Sequence, residues 1–131
     1  MSDDYISIYE YLGGEQTVRS LAHRFYELMD TLEEVKELRD IHPGSLDESK
    51  EKFFQFLSGW FGGPQLYMQN YGHPRLRMRH MPFHIDKKAR DSWMHCMKIT
   101  LHEHIPNHDI RKQIEDSFSR MATHMQNQPE K

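Results

Sequence analysis

The chain has little that would carry it across or into a membrane. One cysteine, Cys96, stands among 131 residues; it cannot close an internal disulfide, which suits a reducing compartment. No apolar run approaches the ~18 residues of a membrane span. No charged-then-apolar leader opens the sequence either, so a cytoplasmic protein is expected. Charge of one sign is also missing: the formal net charge is −3, basic residues cluster only locally, and no nucleic-acid partner is expected. Alternating apolar and polar positions, the mark of a strand, are absent over any useful length, as are repeats and linkers. These absences leave one all-α domain over residues 1–131, long enough to bury a modest core, with a polar tail at about 126–131.

Histidine and methionine are plentiful, ten and nine of them. Histidine is the commonest metal ligand, and methionine fills irregular gaps such as those around a flat cofactor. Tyr5, Tyr9 and Tyr11 precede a turn at Gly13-Gly14. Beyond it Val18, Leu21, Ala22, Phe25, Met29 and Leu32 recur at helical spacing, predicting an amphipathic helix over 15–32. The charged run Glu33 to Asp40 reads as solvated surface and leads to a turn at Ile41-His42-Pro43-Gly44. Ser45 and Glu48 have capping-box spacing. The helix they open carries Phe53, Phe54, Phe56, Leu57, Trp60 and Phe61 as far as Gly62-Gly63-Pro64. Five large aromatics in nine residues exceed what one face of a short helix needs. A flat apolar partner accounts for them, and ordinary aromatic packing is the alternative. Asp86 caps a third long helix with Ala89, Trp93, Cys96, Met97, Thr100 and Leu101 on one face, where Cys96 is expected to be an inert buried thiol. Pro106-Asn107 breaks it, and Ile110, Ile114, Phe118, Met121 and Met125 define a fourth.

The segment from Tyr71 to Ile85 stands apart. Arg75, Arg77 and Arg79 alternate with apolar residues, and His80 follows. Pro82 disfavours the α conformation for Met81, so His80 is expected to end a short helical turn. A histidine on a stiffened segment, beside arginine and apolar side chains, suits an axial ligand to a haem iron with the arginines toward the propionates. The same residues also read as a basic surface loop with a solvated histidine.

Taken in order, Gly13-Gly14, Arg24-Phe25-Tyr26, Trp60-Phe61-Gly62-Gly63-Pro64, Gly72-His73-Pro74-Arg75-Leu76-Arg77-Met78-Arg79-His80-Met81-Pro82-Phe83 and Asp91-Ser92-Trp93 closely resemble the group II truncated haemoglobins. The resemblance runs from about residue 5 to 125. It implies a two-over-two globin fold, in which two antiparallel helix pairs enclose haem b (iron protoporphyrin IX) and the first helix is nearly absent. It also implies His80 as the proximal iron ligand and Trp93 and Tyr26 on the distal side, with Ser49 and Phe53 facing the iron from the distal helix. Arg79 is the choice for a propionate contact. The chain departs from the commonest pattern at His42, where many globins have phenylalanine and some group II members tyrosine.

Expected ligands are dioxygen, nitric oxide, carbon monoxide or peroxide. A ligand that gains negative charge is held better by donors in a dry pocket than in water, and Tyr26, Trp93 and His42 are three candidate donors. Each net hydrogen bond of ~1 kcal/mol slows oxygen escape about fivefold. Slow release favours nitric oxide dioxygenase or peroxidase-like chemistry, or ligand sensing, beside oxygen binding and transport. A cycle that leaves ferric iron calls for a reductase, which the sequence does not name. In the ligand-free state Tyr26 or His42 is a candidate sixth ligand. Two other classes compete: a non-haem metal protein using His102-Glu103-His104, or His95 with His102, and a cofactor-free helical interaction module.

Overall fold

Apolar residues three and four apart build the long helices, and the breaks fall where glycine, proline or asparagine interrupt that spacing. The computed structural model describes residues 6–127. Its helices are α1 (Ile8–Leu12), α2 (Glu15–Thr31), α3 (Lys36–Asp40), α4 (Asp47–Trp60), α5 (Leu66–Tyr71), α6 (Leu76–His80), α7 (Lys87–His104) and α8 (His108–Met125), with a 3-10 turn at Glu33–Val35. Among the described residues there is no strand and no helix long and apolar enough to cross a membrane. Tyr5 and tail residues 128–131 lie outside them. The four long helices are those that periodicity predicts.

The chain divides into two packing units. Met1–His23 with Ser45–Pro74 form one, and Arg24–Gly44 with Arg75–Lys131 the other. In the first unit, α1 starts with a capping box: the Ser7 hydroxyl accepts from Glu10 N–H at 3.1 Å, and the Glu10 carboxylate accepts from Ser7 N–H at 3.4 Å. The box expected at Ser45 and Glu48 does not form. Leu46 occupies the cap position of α4 without a side-chain bond, because the Ser45 hydroxyl accepts from Asp47 N–H at 3.3 Å, one residue too early. The end of α4 meets α1 through Tyr9 N–H donating to Phe61 C=O at 2.9 Å. A Cβ at Gly63 would run into the Tyr9 ring, so this close approach requires glycine.

In the second unit, α7 packs on α8, on α3 and on the 3-10 turn, and α6 packs on α8. Phe25, Cys96, Leu101 and Phe118 are fully buried there. The Cys96 thiol is pushed up to about 11, chiefly by burial, which supports an unreactive thiol. The expectation of a purely solvated run at 33–40 is wrong in part. Val35 and Leu38 sit on the inner side of the turn and of α3, 1% and 5% exposed, while Glu33, Glu34, Lys36 and Glu37 face water. Two apolar residues three apart are too few to raise a periodic signal among eight.

Candidate functional site

The Arg-rich segment closes into α6, five residues with His80 last and Met81 as its cap. Arg75 opens it at φ +46°, the left-handed region, which sets the turn out of Pro74. At the other end His80 Nδ1 lies 2.7 Å from Leu76 C=O. A carbonyl only accepts, so the proton sits on Nδ1 and Nε2 carries a lone pair. His80 is half-buried, and none of the α6 residues is buried. Its neighbours in sequence Met78, Met81 and Phe83 leave 57%, 56% and 44% of their surfaces exposed. Three large apolar side chains within six residues of chain are thus open to water.

The arginines divide. Arg77 Nη1 donates to His124 C=O at 2.6 Å and Gln126 C=O at 3.1 Å, capping the end of α8. Its Nη1 is thus engaged at the end of α8. Arg79 is exposed, and among the described residues its guanidinium has no partner.

His42 lies in the same unit, two residues past α3. Its Nδ1 is 2.9 Å from Leu38 C=O, so again the proton is on Nδ1 and Nε2 bears a lone pair. Burial lowers its pKa first, and the charges of Arg39 and His80 lower it further against the raising effect of Leu38. His42 is neutral at pH 7. Arg39 also shapes the turn that carries it, donating to Asp30 Oδ1, Pro43 C=O and Gly44 C=O, each at 2.8 Å.

Tyr26 sits edge-on to the His42 ring with centroids 6.0 Å apart, and edge-on to Phe25 at 5.1 Å. Burial pushes its phenol pKa up, so it remains a neutral O–H. Trp93, on α7, packs against Phe25 at 5.1 Å and Phe118 at 5.8 Å, and the ring is half-buried. The second unit thus gathers Tyr26, His42, His80 and Trp93, which stand far apart in sequence. Ser49 and Phe53 lie on α4 in the first unit, both half-buried, with Phe53 stacked on Phe56 at 6.5 Å and 7° between planes.

Residues of the competing metal reading have other partners. Glu103 holds Arg24 at 2.7 and 3.0 Å, His104 Nδ1 meets Thr100 C=O at 2.8 Å, and His95 faces Glu34 at 3.4 Å. No cluster able to hold a bare metal ion occurs among the described residues.

A family profile described as bacterial-like globin matches residues 7–127. The chain belongs to that family. It is 35% identical to the group 2 truncated hemoglobin YjbI of Bacillus subtilis, over 99% of this chain and 96% of that one. Among solved structures it resembles a cold-adapted truncated hemoglobin of Pseudoalteromonas haloplanktis TAC125, with 48% identity, a TM-score of 0.93, and 95% and 100% of the two chains covered. A group II 2-on-2 hemoglobin of Agrobacterium tumefaciens aligns with 45% identity and a TM-score of 0.93 over 98% and 100% of the chains. The fold is the two-on-two globin fold of the group II truncated haemoglobins, and the protein is a haem-binding, oxygen-binding globin.

The residues fit that cofactor. An imidazole with a free Nε2 lone pair, uncovered apolar side chains beside it and an unpartnered guanidinium match an iron, a flat apolar ring and an anionic edge in turn. Sequence reasoning missed Arg39, which bonds the Pro43 and Gly44 carbonyls and the Asp30 carboxylate, and the tail residue Asn127, whose partners are remote in sequence and leave no local pattern. A histidine four residues beyond an apolar residue at the end of a short helix was the one signal for the Leu76 bond.

Proposed function

We propose that His80 is the axial ligand of haem b and that this globin binds dioxygen for redox use rather than free carriage. Haem supplies an iron that takes small diatomic ligands on the face opposite its histidine. The bond from His80 Nδ1 to Leu76 C=O carries the first part: it fixes the tautomer and ring orientation and makes Nε2 a better donor. Arg79 is the side chain we assign to the propionate edge. The whole chain is taken to work as one globin domain, in the cytoplasm.

Tyr26 and Trp93 are the proposed donors toward the ligand, and Ser49 and Phe53 its neighbours on α4. The Trp93 indole N–H can only donate, and neutral Tyr26 keeps its O–H. His42 drops out of the donor list, because its one proton is committed to Leu38. What it offers is a lone pair. In the ligand-free protein His42 is therefore a better sixth ligand than Tyr26, whose raised pKa disfavours the phenolate that binds ferric iron. Two donors in a water-poor pocket retain oxygen too long for carriage, which favours nitric oxide oxidation to nitrate or peroxide reduction, with a reductase to restore ferrous iron.

Absorption spectra of the haem-loaded protein and of His80→Ala test the foundation. The expected result is an intense Soret band that is shifted and weakened in the variant. An unchanged band would remove His80 as the ligand. Mixing the oxygenated protein with nitric oxide then tests the chemistry: stoichiometric nitrate supports redox use, and simple displacement of oxygen without nitrate opposes it.

A further inference from the structure

The end of the chain, expected to be a frayed polar tail, does something specific at residue 127. Asn127 Nδ2 donates to His80 C=O at 3.2 Å and to Phe83 C=O at 2.9 Å. Its Oδ1 accepts from Ile85 N–H at 3.0 Å, and its own N–H donates to Ile85 C=O at 2.8 Å. One side chain and one amide thus hold both ends of the turn 80–85. Arg77, one turn earlier, grips the carbonyls of His124 and Gln126.

The turn has few other supports. Residues 81–84 are all exposed, and Ile85 is the first buried residue after His80. Five residues of helix do not hold their shape unaided, since a single turn costs more in lost conformational freedom than its hydrogen bond returns. The backbone carbonyl of His80 accepts twice, from Phe83 N–H at 3.0 Å and from Asn127. The side chain of His80 is tied inside α6 to Leu76, so rotation of this short helix rotates the imidazole with it.

We propose that Asn127 is a positioning residue for the proximal histidine: through the His80 carbonyl it sets the angle at which the imidazole meets the iron. The inference rests on His80 being the ligand. It adds that the strength of the iron–histidine bond is governed from the far end of α8.

The test uses the haem-loaded full chain with Asn127→Ala, Asn127→Asp and His124→Ala. The aspartate retains the acceptor for Ile85 N–H but offers no donor to His80 or Phe83. His124→Ala leaves its backbone carbonyl in place and is the control. Resonance Raman of the ferrous, ligand-free protein reads the iron–histidine stretching band, and transfer of haem to an excess of apoglobin reads its release. We expect both Asn127 variants to shift or broaden the band and to release haem about tenfold faster, as loss of one or two hydrogen bonds implies, with His124→Ala like the wild type. A band unmoved in both variants overturns the inference. So does faster haem release that merely follows a lower urea midpoint of the haem-free protein, because that marks a structural role alone. If His80→Ala keeps the same band, the ligand assignment fails and the positioning role falls with it, an outcome distinct from the other two.

Discussion

Two histidines in one packing unit stand in nearly the same local setting, and only one of them, His80, is proposed as the axial ligand. His42 follows the five-residue α3 and His80 ends the five-residue α6. Each gives its Nδ1 proton to the carbonyl four residues back, at 2.9 and 2.7 Å, and each keeps a lone pair on Nε2. Local chemistry therefore does not choose between them. Their surroundings do. α3 is pinned by buried Leu38, and the turn beyond it by Arg39. The α6 segment has no buried residue and exposes Met78, Met81 and Phe83. The turn that carries His42 is packed and bonded by protein, while the segment that carries His80 leaves apolar side chains for a flat apolar partner to cover. On the proposed assignment, what sets the ligand histidine apart is the uncovered apolar surface near it and not its own hydrogen bond.

The sharpest way to break that contrast is to remove each imidazole in turn. His80→Ala should weaken haem binding by more than about a hundredfold, since even outer-shell partners of a metal ligand contribute ten- to a hundredfold. His42→Ala should change haem transfer to an apoglobin acceptor only slightly. Equal losses in the two variants would mean that the histidines share the iron and that the contrast of surroundings is misleading. Next in size is Trp93→Phe. Loss of one donor worth ~1 kcal/mol or more should speed oxygen dissociation about fivefold or more in stopped-flow measurements. An unchanged rate would return Trp93 to the core it shares with Phe25 and Phe118.

His42 gives a smaller effect with a definite sign. Its folded pKa lies below the ordinary value, about 6.5. As pH falls below that value the unfolded chain takes up a proton that the folded one resists, so acid favours unfolding until the folded pKa is passed. Above pH 7 both states are neutral and the contribution vanishes. The haem-free protein should therefore lose stability between about pH 7 and 5, and His42→Phe should flatten that part of the slope. Urea midpoints at the two pH values decide it. Parallel slopes would show that His42 titrates alike in the folded and unfolded chains.

How much of this could be seen in the sequence follows from the range of each interaction. The long helices were legible because α2, α4, α7 and α8 repeat their apolar positions over many turns. The end of α6 at His80 was legible from Pro82, but not through its effect on Met81, which keeps the α conformation at φ −57° and ψ −35°; what proline removes is the N–H that would continue the helix. The candidate site residues came from family likeness, since nothing local in Tyr26 or Trp93 marks a pocket. What escaped was long-range or sparse. Ser45 had the spacing of a cap, but the chain turned one residue too early for it. Asn127 reads as tail polarity until its partners 42 to 47 residues away are known.

The arginines of α6 extend the same contrast to charge, and they predict the smallest effect. Alternation alone treats Arg77 and Arg79 as equivalent, yet Arg77 is spent on the end of α8 and Arg79 is exposed and unpaired among the described residues. An exposed arginine paired with a propionate contributes up to ~1 kcal/mol at low salt and less as salt screens it. Arg79→Ala should therefore speed haem release by no more than about fivefold, with the difference fading as ionic strength is raised. Arg77→Ala should behave differently. It frees the carbonyls of His124 and Gln126, so its effect should persist in high salt and appear also in the haem-free protein as a lower urea midpoint. If both variants respond to salt alike, the two arginines share one electrostatic role, and the division seen in their hydrogen bonds has no bearing on how haem is held.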